Sequence, residues 1–281
     1  MNQSLSVEEG AIKKRFYPPA IMSEKGYAVV TGASRGLGKA FAEELAKCGF
    51  NLVLISTNDQ ILAQCQSIKN QYHVDCQYII ADLTNHDSLL KVAEELNEKY
   101  EVFFLVNNAG LGGSQRFAEA DIAYYEKILD LNVRATAVLT KLLINNLLRQ
   151  KKSYVLNVAS MAALSPIGYK LAYPASKAFV YSFSLSLREE FRSTPLSVSV
   201  VCPGAMATSP SITARIEQQG FFGRLTLVAP ENVARKAVRQ TLKGRKEILV
   251  NPLSVIFSKL TPNDIKTPLL TRIVRRETEK V

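Results

Sequence analysis

Two side chains able to handle a proton, Tyr173 and Lys177, stand four positions apart in the second half of the chain. On a helix such a pair shares one face, about one turn apart. An ammonium beside a phenol favours the phenolate and lowers the tyrosine pKa. A phenol tuned in this way can exchange protons near neutral pH, as a general acid or base must. The same spacing also describes an ordinary surface pair on a helix. Ser160, thirteen positions before Tyr173, ends an apolar run and can bring a hydroxyl to the same oxygen. Asn132 lies inside a long helical segment, where its amide either interrupts or bridges backbone bonds, or stays exposed and self-bonded.

A second constellation is Thr31-Gly32-Ala33-Ser34-Arg35-Gly36-Leu37-Gly38, set between an apolar run and a helical segment. Glycines permit a tight turn and close backbone approach to a bulky anion. The helix N-terminus then offers unpaired N–H groups and the positive end of its dipole to a pyrophosphate. Gly32-x-Ser34-x-Gly36 also fits a hydrolase nucleophile elbow. That chemistry needs a histidine downstream, and none follows His86. A P-loop fails too, because Ala33 and Ala40 stand where its first glycine and its magnesium-binding hydroxyl belong. The next apolar run ends Leu54-Ile55-Ser56-Thr57, with no acid before Asp59 to hold the ribose 2′-hydroxyl of NAD. Arg35 can meet a 2′-phosphate instead, since a guanidinium matches phosphate geometry. NADP is therefore expected ahead of NAD.

These residues need a frame, and the chain alternates in a way that supplies one. Short apolar runs cover Tyr27–Thr31, Asn51–Ser56, Gln77–Ala81, Val102–Val106, Ser153–Ala159, Leu196–Cys202 and Glu247–Val250. Helical periodicity covers Gly36–Cys48, Asp59–Gln71, Asp87–Glu98, Asp121–Leu148, Leu171–Phe191 and Glu231–Leu242. Strands apolar on both faces and separated by helices predict an α/β fold. It is a Rossmann-type, doubly wound sheet of about seven parallel strands with helices on both faces. The 281 residues suit one large domain. Residues 1–25 read as an N-terminal arm, 26–250 as a dinucleotide-binding body and 251–281 as a basic C-terminal extension.

Composition removes several classes. Cys48, Cys65, Cys76 and Cys202 form no C-x-x-C pair, and His73 and His86 are the only histidines, so no metal site is expected. No apolar run approaches the ~18 residues of a membrane span. Unpatterned cysteines and the lack of an apolar leader point to a reducing, cytoplasmic setting. The net charge is +10, and from Lys243 onward nine Lys/Arg face four Asp/Glu. Such an excess attracts phosphates and anionic membranes. No nucleic-acid-binding motif accompanies it, so nucleic acid is not an expected partner. Thr267-Pro268 reads as a helix N-cap and first-turn proline. Leu269, Leu270, Ile273 and Val274 would share one face there, with Arg272, Arg275, Arg276 and Lys280 towards the other. Packing on this or a partner subunit, or peripheral contact with anionic lipid, are the readings of that helix.

Joined in order by Asp82, Asn107-Asn108-Ala109-Gly110 and Pro203-Gly204-x-x-x-Thr208, these motifs make the chain resemble the short-chain dehydrogenase/reductase family. Its flavour is that of bacterial and microsomal reductases of bulky carbonyl compounds. The resemblance implies an NAD(P)-dependent oxidoreductase with Asn132, Ser160, Tyr173 and Lys177 as its catalytic set. Tyr173 would pass a proton to or from the carbonyl or alcohol oxygen, and Ser160 would polarise that oxygen. Lys177 would lower the tyrosine pKa and hold the nicotinamide ribose. Asn132 would hold a relay water. Gly32, Ser34, Arg35, Gly36, Leu37, Gly38, Ser56, Thr57, Asp82, Leu83, Asn108, Ala109, Gly110, Pro203, Gly204 and Thr208 would line the cofactor. Asp82 would meet the adenine and Thr208 the carboxamide, while Asn107 and Asn108 brace neighbouring strands. A homodimer or homotetramer is also implied. Thr57 departs from the basic residue usual there in NADP enzymes.

Residues 205–223 would cover the substrate, with Met206, Ile212, Ile216, Phe221 and Phe222 as its apolar side chains. Leu111, Met161, Pro166, Ile167 and Tyr169 would complete the pocket. That lining suits a lipid-like, steroid-like or aromatic ketone. Two other classes compete: a non-catalytic NADP-binding regulator, and a membrane-surface scaffold acting through the basic tail. The first would need a damaged catalytic set, and this one is intact.

Overall fold

A computed structural model of the chain describes residues 26–204, 206, 228–251 and 260–278. The strands are β1 (Tyr27–Thr31), β2 (Asn51–Ser56), β3 (Cys76–Ile80), β4 (Val102–Asn107), β5 (Ser153–Val158), β6 (Leu196–Cys202) and β7 (Glu247–Leu249). They form one parallel sheet in the order 3-2-1-4-5-6-7. The helices between them are α1 (Gly36–Lys47), α2 (Ile61–Tyr72), α3 (His86–Lys99), α4 (Ile122–Leu129), α5 (Thr136–Leu148), α6 (Ala172–Glu190) and α7 (Pro230–Leu242). Strand and helix boundaries differ from the sequence reading by only one or two residues.

The apolar runs are explained by burial on both faces. One core layer joins Phe41 and Leu45 of α1, Ile61 and Ile68 of α2, and Val233 and Ala237 of α7 to the sheet. The other joins Leu89 and Leu96 of α3, Leu139 and Leu143 of α5, and Leu187 of α6. The edge strand β3 alternates, leaving Tyr78 and Ile80 exposed, as a strand covered on one face does. The strand order reverses between β1 and β4. In parallel sheets that reversal opens a crevice at the carboxyl ends of the strands.

Two departures follow from local chemistry. The segment predicted as one helix over 121–148 is split by a π-helical turn, Asp130–Ala135, with Asn132 in it. The C-terminal helix α8 spans Asn263–Thr278 and does not start at Thr267-Pro268. An earlier Thr261-Pro262 pair sets its first turn, the Pro262 carbonyl accepting from the amides of Ile265 and Lys266. Pro268 then falls inside the helix, where it can make no bond to the Asp264 carbonyl. The expected apolar face is partly real. Val274 is buried, Leu270 and Ile273 are half-buried, and Leu269 is exposed.

Helix α8 packs on its own subunit. Lys266 is buried and its Nζ donates to the Leu164 carbonyl at 2.8 Å. Thr271 Oγ1 accepts from the Gly168 amide at 2.9 Å. Arg272 and Arg275 face outward, as expected. Among the described residues no helix is long and apolar enough to cross a membrane.

Candidate active site

The glycine turn leaves β1 at the reversal point. Gly32 and Gly36 hold φ of +64° and +55°, in the left-handed region that side chains disfavour. A Cβ on Gly38 would lie 2.1 Å from the Gly32 carbonyl and 2.6 Å from Asn108 Nδ2. The turn is braced from β4. Thr31 Oγ1 accepts from the amides of Asn108 and Ala109, each at 3.0 Å. Asn108 Nδ2 donates to the Thr31 and Gly32 carbonyls at 2.9 and 3.1 Å. The result is a side-chain-free cradle at the N-terminus of α1, and a dinucleotide pyrophosphate fits such a cradle. Leu37 is buried in the core, so only its backbone is available there.

Next to the cradle, Ser56 Oγ at the end of β2 donates to Ser34 Oγ at 2.9 Å. Arg35 and Thr57 are exposed beside this pair. Asp82 follows β3, and its Oδ1 accepts from the Thr84 amide at 2.9 Å and hydroxyl at 2.7 Å. These bonds hold its carboxyl below the usual range. Leu83 is buried.

The proton-handling residues gather on α6 and the end of β5. Ser160 caps a 3-10 turn, Met161–Leu164, by accepting from the Ala162 amide at 3.1 Å. The half-buried Tyr173 lies beside Ser160, close enough for that side chain to influence its phenol. Lys177, one turn along α6, is 5% exposed, and its Nζ donates to the Val158 carbonyl at 2.8 Å. Burial pushes its pKa down to about 8. Burial, which penalises the phenolate, likewise holds the Tyr173 phenol above its ordinary value, with Ser160 opposing. The net direction is thus upward, where the Tyr173–Lys177 spacing alone suggested a lowering.

Asn132 is fully buried and acts as a clamp. Its Oδ1 accepts from the Leu111 amide at 2.8 Å, while its Nδ2 donates to the Leu111 carbonyl and to Ser176 Oγ, each at 2.9 Å. Ser176 Oγ donates in turn to the Tyr173 carbonyl at 2.8 Å. The amide therefore ties the β4–α4 loop to the helix carrying Tyr173. A Cβ on Gly110 would lie 3.2 Å from Lys177 Nζ, and one on Gly112 would lie 3.2 Å from the Tyr173 ring. Deeper still, Asn107 Nδ2 donates to Asn157 Oδ1 at 2.8 Å and to Thr140 Oγ1 at 2.9 Å, bracing β4 on β5.

Most expected residues thus meet along one edge of the sheet. The Pro203 carbonyl accepts from the Met161 amide at 2.9 Å, linking β6 to the Ser160 turn, and Gly204 follows half-buried. Thr208 and the loop residues Ile212, Ile216, Phe221 and Phe222 lie outside the described residues. Met206 is half-buried against the α1–α7 core layer. Leu111, Met161, Ile167 and Tyr169 are half-buried, and Pro166 is exposed. Sequence reasoning missed Ser176, Gly112, Lys266 and Thr271. Ser176 lies inside the Tyr173–Lys177 motif, and Gly112 in the glycine-rich run after Asn108. Nothing local marks the two α8 residues. A basic concavity of about 450 Å³ on α7, lined by Arg235, Lys236, Arg239 and Arg245 among others, shares no residue with this site.

A glycine cradle at the head of α1 and a half-buried tyrosine one turn from a buried lysine, on a doubly wound sheet, are the parts of a dinucleotide-dependent oxidoreductase. A family profile described as short chain dehydrogenase matches residues 26–219. The chain is 35% identical over 217 residues to the very-long-chain 3-oxoacyl-CoA reductase of Anas platyrhynchos, covering 75% of this chain and 67% of that one. Among solved structures it resembles a 7beta-hydroxysteroid dehydrogenase, with a TM-score of 0.80 at 21% identity, covering 89% and 98% of the two chains. It also resembles a short-chain dehydrogenase from Sphingobium yanoikuyae in complex with NADPH, with a TM-score of 0.71 at 25% identity over 80% and 87%. The chain belongs to the short-chain dehydrogenase/reductase family and is an NAD(P)-dependent oxidoreductase acting on CH–OH and C=O groups.

Proposed function

We propose that this protein is an NADPH-dependent reductase of a ketone carried on a bulky, apolar substrate, with Tyr173 as the proton donor. The observation carrying this reading is Tyr173 placed beside Ser160, one turn from buried Lys177. NADPH supplies a hydride to the carbonyl carbon when bound in the cradle. Ser160 orients the carbonyl oxygen. Burial keeps the Tyr173 phenol protonated at neutral pH, which suits an acid. The phenol gives its proton to the oxygen, and the phenolate left behind draws stabilisation from the Lys177 ammonium. Burial makes that ammonium a readier proton donor than an ordinary lysine. Asn132, acting through Ser176, fixes the height of Tyr173 against the β4–α4 loop.

The NADP preference rests on exposed Arg35 beside the Ser34–Ser56 pair and on the lack of a carboxylate before Asp59. The bulky substrate rests on the half-buried Leu111, Met161 and Ile167, and on a relative named for very-long-chain 3-oxoacyl-CoA. Self-association as a homodimer or homotetramer belongs to the same reading. Leu129, Leu142 and Phe179, exposed on α4, α5 and α6, favour it. The test is a titration with NADPH and NADH by nicotinamide fluorescence, then NADPH consumption with bulky ketones. Tight NADPH binding and turnover that Tyr173→Phe abolishes are expected. Turnover surviving in that variant refutes the proton-donor role, and tighter NADH binding refutes the preference.

A further inference from the structure

The four cysteines follow no pattern in the sequence, yet the fold brings two of them together. Cys65 sits on α2 and Cys76 opens β3, with their sulfurs 2.8 Å apart. Both are buried, at 3% and 1% exposure. Neither belongs to the oxidoreductase site. A disulfide needs the sulfurs at about 2.0 Å, so the remaining approach is below about 1 Å.

We propose that Cys65 and Cys76 are a redox-active dithiol that a low-molecular-weight disulfide converts to an intramolecular disulfide. The two thiols are not equivalent. Cys76 donates its S–H to Cys65, and Lys69, one turn along α2, adds positive potential at the same sulfur. Cys65 also donates to the Gln77 carbonyl at 3.3 Å, yet the Cys76 bond and Lys69 hold its pKa below the ordinary value, while Cys76, buried and donating, keeps its proton. The thiolate is the nucleophile in exchange, which makes Cys65 the attacking residue. Its sulfur attacks one sulfur of the reagent RSSR, forming a Cys65–SR mixed disulfide and releasing RS⁻. Cys76 then loses its proton and attacks Cys65 Sγ, forming the Cys65–Cys76 bond and releasing a second RS⁻. Two electrons pass to the reagent, and the two thiol protons end on two RSH. An ion pair between Lys69 Nζ and Asp75 Oδ1, at 3.5 Å, spans the same corner. The buried sulfurs react only when that corner opens, which makes oxidation slow and the closed product well protected. The disulfide would fasten α2 to the edge strand.

The test uses the full chain in glutathione buffers of rising oxidised fraction. One arm keeps the protein native throughout. The other refolds it from urea in the same buffers, so that access cannot excuse a negative result. Denatured samples are then counted for maleimide-reactive thiols and mapped by mass spectrometry. The expected result is a fall from four free thiols to two, with Cys65 linked to Cys76 and a mass lower by about 2 Da. A rise in Tm of about 5 °C or more should follow, since the new bond restricts the unfolded chain. Cys65→Ser should abolish the mass loss, and Cys48→Ser should keep it. Four free thiols in both arms, glutathione retained on Cys65, or a link to Cys48 or Cys202 would each overturn the proposal.

Discussion

Replacing Lys177 by methionine should stop catalysis and make the protein harder to melt. The ammonium sits at 5% exposure, and burial lowers its pKa from 10.5 to about 8. At about 1.4 kcal/mol for each pH unit, that gap means the charged lysine costs the fold about 3 kcal/mol at neutral pH. Methionine fills similar space without the charge, but it leaves the Val158 carbonyl unpaired, a loss of about 1–2 kcal/mol. The net gain is about 1–2 kcal/mol, or about 3–6 °C in Tm for a domain of this size. Turnover should fall at least about a hundredfold, because the phenolate of Tyr173 loses its cation. The gain should also depend on pH with a definite sign. Below about 8 the lysine is charged in both folded and unfolded chains, so its burial cost is present in full. Between about 8 and 10.5 the unfolded chain binds the proton more tightly. The parent therefore gains stability as pH rises through that window, and the advantage of the variant shrinks. Melting curves of both proteins at pH 7 and pH 10 check this. A variant that melts below its parent at pH 7, or a Tm gap unchanged at pH 10, would refute the burial argument.

Gly38→Ala should abolish NADPH binding while leaving the protein folded enough to measure by circular dichroism, since its Cβ meets the Gly32 carbonyl at 2.1 Å. Binding within threefold of the parent would show that the cradle is not the cofactor site. Arg35→Ala should weaken NADPH by about tenfold and NADH by less than twofold, and equal losses would remove Arg35 from the 2′-phosphate. Lys266→Met should cut kcat by about tenfold, with the NADPH Kd unchanged, because the lysine braces the 3-10 turn that Ser160 caps. A change confined to Tm would leave Lys266 a purely structural residue. Asn132→Ala should lower kcat and make the Leu111 amide exchange faster with deuterium, since that amide loses its acceptor. Unchanged protection there would contradict the clamp.

The sheet was legible because its signals are local. A strand buried on both faces reads as a mainly apolar run, and the central strands β1, β2 and β4 did. The glycine turn and the Tyr173–Lys177 spacing were legible for the same reason: each is a short motif with a geometric cause. What escaped was whatever depends on distant packing. Two Thr-Pro pairs, at 261–262 and 267–268, carry the same start signal, and the helix that begins at the first docks Lys266 on Leu164 and Thr271 on Gly168. The direction of the Tyr173 shift turned on burial, which spacing cannot report. Cys65 and Cys76 meet only because α2 folds back along β3, so their separation in the chain gave no hint of contact.

The bracing of the 164–168 segment by α8 gives the molecule a history as well as a shape. Lys266 and Thr271 lie 102 and 103 positions after the backbone groups they hold. During synthesis the cradle, Ser160 and the whole of α6 leave the ribosome well before α8 exists. A polypeptide interrupted before residue 263 would carry the entire catalytic set with the turn beside it unpinned. Full turnover would arrive only once α8 has been made and has docked on that turn.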